Sequence, residues 1–95
     1  MLTKNKIIEF LKANKSDFSQ KFNVETIALF GSYARDEATT DSDIDIVVEM
    51  PASFDNFFDL KYFLEEEFQR KVDLTKMKNI RKLVQSRIKS ELIYV

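Results

Sequence analysis

The spacing of apolar and polar residues first indicates helices near the start of the chain. Ile7, Ile8 and Leu11 recur on one face of a 3.6-residue period, and Thr3 stands where a helix N-cap is expected. A second short helix is predicted over residues 16–22. Two helical stretches therefore precede the first extended one.

A longer amphipathic helix is predicted from Phe54 to Phe68. Aromatic and apolar side chains return there at helical intervals, with acidic residues mostly on the other side of the cylinder. We assign the apolar stripe to the core rather than to a base-stacking surface; its members are Phe54, Phe57, Phe58, Tyr62, Leu64 and Phe68. A last helix is predicted over residues 79–89, which carry apolar side chains at the same spacing.

Short runs rich in β-branched and aromatic residues predict strands between these helices. The runs cover residues 24–30, 43–50 and 71–75, and the first of them stops at Gly31. The last four residues, LIYV, fit either a strand or a docked tail. The pattern predicts a mixed α/β architecture.

Size and composition favour one small domain. Ninety-five residues with 44% apolar side chains, one Gly and one Pro are enough for one core, and no repeat or flexible linker divides residues 1–95. The absence of Cys excludes a disulfide framework. Because no run of about 18 apolar residues could cross a membrane or act as a leader, we expect a cytoplasmic protein.

Charge and missing residue types narrow the chemistry. A net charge of −1, from 16 acidic and 15 basic residues, argues against stable nucleic-acid binding through bulk phosphate attraction. The chain has neither His nor Cys, which excludes thiolate, zinc–thiolate and serine–histidine catalysis. Carboxylates must carry any catalysis, and their hard oxygen atoms suit Mg²⁺ or Mn²⁺.

Three aspartates are the candidate catalytic and metal-binding residues. Side chains alternate across a strand, so Asp43 and Asp45 are expected on one face of the second strand. If the third strand pairs beside the second, Asp73 completes a cluster of three carboxylates. Unless one of them is protonated, like charges this close need a cation between them, which predicts a site for two Mg²⁺ ions. The alternative is that these aspartates are ordinary solvent-facing residues.

Gly31, Ser32 and Arg35 are the candidate nucleotide-binding residues. A strand that ends at Gly31 and enters a helix at Ser32 leaves backbone N–H groups available to phosphate oxygens. The missing Cβ of Gly31 permits close approach, and the Ser32 hydroxyl can donate to a phosphate. Arg35 adds charge or, alternatively, braces the loop in an ion pair, just as Gly31 and Ser32 also suit a turn and an N-cap.

The segment G-S-Y-A-R-D-E, followed by S-D-I-D-I, resembles the signature of the DNA polymerase β-like nucleotidyltransferase superfamily. More narrowly, the chain is similar to the minimal nucleotidyltransferase proteins, which are encoded beside HEPN-domain toxins as toxin–antitoxin pairs. The likeness covers nearly the whole chain. One departure is Asp36, where relatives commonly carry Gly; if the position requires positive φ, Asp tolerates it at a cost of about 1 kcal/mol.

The resemblance implies a fold, a reaction and a partner. The fold is a small mixed sheet flanked by helices. In the implied reaction, a hydroxyl attacks the α-phosphate of ATP with Mg²⁺ present. By the same resemblance, the metal ligands are matched by Asp43, Asp45 and Asp73. The residues that bind the phosphates are matched by Gly31 and Ser32. The implied acceptor is a tyrosine of a partner HEPN toxin, which AMP transfer would silence.

Two other functions stay open at this point. The chain could be an antitoxin that only binds and occludes its partner, although intact carboxylates favour an enzyme. It could also modify a small molecule such as an aminoglycoside, although enzymes of that kind generally carry an extra helical domain that 95 residues cannot supply. The oligomeric state is not determined by the sequence.

Overall fold

The computed structural model describes residues 2–79 and 92–95 as a mixed sheet flanked by helices. The elements, in chain order, are α1 Lys4–Ala13, α2 Lys15–Phe22, β1 Thr26–Phe30, α3 Gly31–Ala34, β2 Ile44–Glu49, α4 Phe54–Phe68, β3 Val72–Lys76 and β4 Ile93–Tyr94. No helix in the described ranges is long and apolar enough to span a membrane.

Local capping chemistry explains where the helices begin and end. The Thr3 hydroxyl accepts the Lys6 N–H at 3.2 Å, as predicted, and the Ser53 hydroxyl accepts the Asn56 N–H at 3.3 Å at the start of α4. At the end of α2, Asn23 adopts the left-handed conformation with φ of +59°. Asparagine tolerates that conformation better than most residues, so the helix stops there.

The sheet has the order β3-β2-β1-β4. β1 pairs antiparallel with β2 and with β4, whereas β2 pairs parallel with β3. α4 connects the two parallel strands, as a parallel crossover requires. The mixed sheet and its flanking helices are therefore confirmed. Of the two alternatives for the last four residues, the strand is observed, at Ile93–Tyr94.

The sheet is buried on both faces, but unequally. One face packs against α1, α2 and α4 in the main core, which includes Ile7, Leu11, Phe18, Ile27, Leu29, Ile44, Ile46, Val48, Leu60, Leu64, Val72 and Leu74. The other face carries a smaller cluster of Ala28, Val47, Met77 and Leu92, with Phe30 packed against it. The alternation of side chains along β2 decides which of its residues meet the helices and which face away.

Three sequence predictions need correction or fall outside the described residues. β2 begins at Ile44, so Asp43 lies just before the strand rather than within it. Tyr62 does not belong to the buried stripe of α4: its side chain is 61% exposed, whereas Leu60 and Leu64 are fully buried. The side chain of Phe54 lies outside the described part of the chain. The helix predicted over residues 79–89 lies almost wholly outside the described residues.

Candidate active site

The strand register brings two of the three predicted aspartates side by side. Asp45 of β2 stands directly opposite Asp73 of the parallel strand β3, and opposite Phe30 of β1 on its other side. Residues opposite each other on adjacent strands point to the same face. Both carboxylates therefore project from the face turned away from the main helical core, as the predicted pairing of the two strands requires.

Asp43 joins this pair from the segment just before β2. Its side chain is exposed, as is that of Asp73, whereas Asp45 is half-buried between them and β1. The negative charge of Asp43 is close enough to act on Asp45. The structure thus places all three predicted acids near the N-terminal ends of β2 and β3.

Burial and charge repulsion shift the ionisation of Asp45. Its pKa is raised from 3.8 to about 6, first because the carboxylate is partly desolvated, then because Asp73 and Asp43 repel its negative charge. A hydrogen bond shared with Asp73 favours the protonated form further, and Arg35 acts in the opposite direction. The charged form of Asp45 is therefore disfavoured where it lies, and a bound cation would offset that cost.

Two constraints require glycine at position 31: its backbone has a positive φ, and there is no room for a Cβ. Its φ is +76°, a conformation that residues with a side chain rarely adopt. A Cβ built on Gly31 would meet the Asp45 carboxyl group, 2.9 Å from its Cγ. The backbone at the start of α3 therefore lies directly against Asp45, so the candidate phosphate-binding turn and the candidate metal ligands share one place.

Ser32 and Arg35 extend this turn. Ser32 is half-buried in the first turn of α3, and its carbonyl accepts the Glu37 N–H at 2.8 Å. The Arg35 guanidinium forms an ion pair with Glu37, Nε to Oε2 at 3.1 Å, so the bracing arrangement considered for Arg35 is present. Arg35 also lies close enough to lower the pKa of Asp45. Contact of Ser32 or Arg35 with a nucleotide stays a prediction.

The loop between α3 and β2 has a defined conformation. Asp36 has a φ of +60°, so this position does require the left-handed region that Gly would occupy at lower cost. Further along, the Thr39 N–H donates to the Ser42 hydroxyl at 2.9 Å, and the Ser42 N–H donates to the Thr39 carbonyl at 3.1 Å. The segment that leads to Asp43 is thus folded on itself.

Arg70 is a residue of this region that the sequence did not reveal. Its guanidinium donates to the carbonyl of Thr40, thirty residues earlier in the chain. One residue later, the Lys71 carbonyl accepts the Ile44 N–H at 3.0 Å. No local pattern could have indicated Arg70, because its partner is a backbone atom brought near by the crossover from β2 to β3.

The donor set fits a divalent cation in its chemistry. Carboxylates that repel each other and supply only oxygen atoms suit Mg²⁺. Within residues 2–79 and 92–95, no three acidic side chains are close enough to hold one ion in the conformation seen. A shared ion therefore requires the side chains of the cluster to move closer together.

A groove of about 710 Å³ lies at the opposite end of β1 from Gly31. Its lining includes Lys12, Lys15, Phe18 and Glu25. The groove holds one acidic side chain and none of the three aspartates, so we place the chemistry at the carboxylate cluster instead.

Sequence comparisons are consistent with this site. A family model described as a nucleotidyltransferase domain matches residues 6–95. The chain is 37% identical over 98 residues to the protein adenylyltransferase MntA of Thermococcus cleftensis, across 100% of this chain and 98% of the relative. It is 43% identical over 100 residues to a provisionally named protein adenylyltransferase of Methanocaldococcus jannaschii, across the full length of both.

Solved structures show the same fold. A chain in the crystal structure of a mutant MntA–HpeT toxin–antitoxin complex superposes with a TM-score of 0.65 at 27% identity, across 100% of this chain and 72% of that one. A toxin–antitoxin structure with AMP-PNP gives 0.56 at 32% identity, across 81% and 59%. A tri-AMPylated Shewanella oneidensis HEPN toxin in complex with its MNT antitoxin gives 0.59 at 25% identity, across 96% and 66%.

Proposed function

Because the chain belongs to the nucleotidyltransferase domain family, we propose that it transfers AMP from ATP to a hydroxyl group of a partner protein. The acceptor we propose is a tyrosine of a HEPN-domain toxin, which makes the chain an antitoxin that acts by covalent modification. The observation that carries this proposal is the contact of Asp45 with Asp73 on one side and the Gly31 backbone on the other.

Five of the six predicted site residues, all except Arg35, have a defined role in this reaction. Asp43, Asp45 and Asp73 would hold two Mg²⁺ ions, and Asp73 would lie nearest the acceptor. When bound, Mg²⁺ supplies positive charge that offsets the phosphate charge and acidifies an attacking hydroxyl. Gly31 lets the backbone approach the triphosphate, and the Ser32 hydroxyl donates to a phosphate oxygen.

The chemistry balances without any further reagent. The acceptor oxygen forms a bond to the α-phosphorus of ATP, the bond to the β-phosphate oxygen breaks, pyrophosphate leaves, and the hydroxyl proton passes to solvent. Positioning and electrostatics supply most of the acceleration in phosphoryl transfer. Loss of one carboxylate should therefore cost at least ~3 kcal/mol in the barrier, or roughly a hundredfold in rate.

The protein acceptor is supported by what the similar proteins are. Relatives that match across the whole chain are named as protein adenylyltransferases. Structural neighbours come from toxin–antitoxin complexes, one with AMP-PNP and one with an AMPylated HEPN toxin. These findings favour a protein acceptor over the small-molecule alternative.

The test is transfer of label from α-labelled ATP to a co-expressed HEPN-domain partner in the presence of Mg²⁺. Asp43→Ala and Asp45→Ala remove cluster members, and Asp41→Ala is the matched control because Asp41 is an exposed acid of the same loop. Wild type and D41A should label the partner at similar rates, while the two cluster variants label it at least a hundredfold more slowly.

Two outcomes would contradict the proposal. Near-full transfer by D43A or D45A would remove the carboxylates from the chemistry. No labelling by wild type, with a stable complex still isolated, would instead identify an antitoxin that works by binding alone.

A further inference from the structure

The contact between Arg70 and Thr40 has no part in the proposed transfer of AMP. Arg70 is half-buried in the connection between α4 and β3, and its guanidinium donates to the backbone carbonyl of Thr40 in the loop before β2. We infer that Arg70 is a positioning residue: it fastens the loop that carries Asp43 so that Asp43 stays beside Asp45 and Asp73. This inference rests on the proposed function of the carboxylate cluster.

The topology makes the contact well placed for that role. Thr40 stands three residues before Asp43, and Arg70 stands three residues before Asp73. β2 and β3 are parallel and begin side by side, with Ile44 opposite Val72. The segments that enter the two strands therefore run next to each other, and a bond between them fixes the relative position of the two acids.

Asp43 needs such a tether because the strand does not hold it. The β2 ladder begins at Ile44, where the first bond to the neighbouring segment joins the Ile44 N–H to the Lys71 carbonyl at 3.0 Å. Asp43 lies beyond that bond and is exposed. It is also repelled by the negative charge of Asp45, so an untethered loop would relax away from the cluster.

The loop transmits the tether because it is folded on itself. Three hydrogen bonds join Thr39 and Ser42. The Thr39 N–H donates to the Ser42 hydroxyl at 2.9 Å, the Ser42 N–H donates to the Thr39 carbonyl at 3.1 Å, and the two hydroxyls lie 3.3 Å apart. Thr40 lies inside this turn and Asp43 follows it directly. Holding the Thr40 carbonyl therefore holds the whole turn, and a guanidinium is suited to the task because it donates to a carbonyl with a charged, strong hydrogen bond.

Groups that orient metal ligands typically change metal affinity or activity by 10–100-fold when removed. We therefore expect Arg70→Ala to weaken binding of Mn²⁺, used as the probe ion, by about tenfold in calorimetry on the full chain without nucleotide. Transfer activity should fall at limiting metal and recover at saturating metal, while the KM for ATP at saturating metal stays within about twofold of wild type.

Lys71→Ala is the matched control, because it removes a neighbouring exposed cation and leaves the Lys71 carbonyl in place. Arg70→Gln keeps a neutral hydrogen-bond donor and should bind Mn²⁺ with an affinity between those of wild type and R70A. It also serves if R70A does not fold, which thermal unfolding reports. Hydrogen exchange of the amides of residues 39–44 should accelerate in R70A and not in K71A.

The other possible results of these measurements decide whether Arg70 positions the loop that carries Asp43. Equal Mn²⁺ affinity in R70A, R70Q and K71A overturns the inference. A raised KM for ATP with unchanged Mn²⁺ affinity also overturns it, and would identify Arg70 as a phosphate contact. If wild type binds Mn²⁺ but labels no partner, the proposed function fails while the tether is still judged by the Mn²⁺ affinities. A wild type that binds no Mn²⁺ overturns the tether, and the proposed function is then judged by labelling of the partner alone.

Discussion

Replacing Asp45 with Asn should stabilise the metal-free protein while abolishing its activity. The pKa of Asp45 is raised from 3.8 to about 6 by desolvation and by the charges of Asp73 and Asp43. A shift of about two units corresponds to about 3 kcal/mol against the charged form. Because Asp45 is only half-buried, solvent screening reduces this, and we expect a gain of about 1–2 kcal/mol at neutral pH.

The pH dependence identifies the cause. An acid with a raised folded-state pKa binds more protons in the folded than in the unfolded protein. The contribution of Asp45 to the unfolding free energy is therefore at its most favourable below pH 3.8, and it is lost as the pH rises through about 6. The difference in unfolding free energy between D45N and wild type should therefore be near zero at pH 4 and reach its full value above pH 7. The Asn side-chain amide can still donate to Asp73 throughout this range.

The assay is urea unfolding of wild type, D45N and the surface control Asp59→Asn with EDTA present, repeated between pH 4.5 and 8. Asp59 is exposed on α4, on the far side of the sheet, and its replacement should give no gain that grows across this range. Added Mg²⁺ should stabilise wild type and not D45N, because binding to the folded state adds to its stability. The reasoning would be refuted by a D45N protein that is less stable than wild type at pH 8, or by an advantage that does not change with pH.

Other substitutions test the remaining parts of the site and core. Gly31→Ala should lower stability by at least about 1 kcal/mol through its positive φ and abolish transfer, and adding Asp45→Ala should recover part of the melting temperature but no activity. Asp36→Gly should raise the unfolding free energy, measured by urea, by up to about 1 kcal/mol without loss of transfer. A destabilised D36G would contradict the cost assigned to the φ of +60° at Asp36. Leu64→Ala should cost about 2–5 kcal/mol, whereas Tyr62→Ala, on the exposed side of α4, should cost less than about 1; equal losses would mean that the burial pattern of α4 is wrong.

Periodicity located most of the elements, with errors at their edges. The segments of α1, α2, β1, α4 and β3 lie close to their predicted positions, because apolar spacing, caps and breakers act locally. The error at Tyr62 arose because a helical period does not say how wide the buried stripe is. Leu60 and Leu64 are the side chains that α4 buries in the core, whereas Tyr62 points into solvent.

The sequence by itself determined which residue types could do the chemistry. Without His or Cys only carboxylates were available, and the two-residue spacing of Asp43 and Asp45 placed them near each other. The possibility of positive φ at Asp36 came from the resemblance instead, because relatives commonly carry Gly there, and the backbone has a φ of +60° at that residue. Residue types and their spacing are local properties, fixed by neighbours along the chain.

Only the tertiary structure decided how distant segments meet. The parallel register of β2 with β3 brings Asp73 beside Asp45, and the close approach of α3 to β2 leaves no room for a Cβ at Gly31. The contact of Arg70 with Thr40 spans thirty residues and ends on a backbone carbonyl, which has no signature in the sequence. Such contacts depend on the crossover that sets one strand beside another, because pairing between strands is a non-local property of the fold.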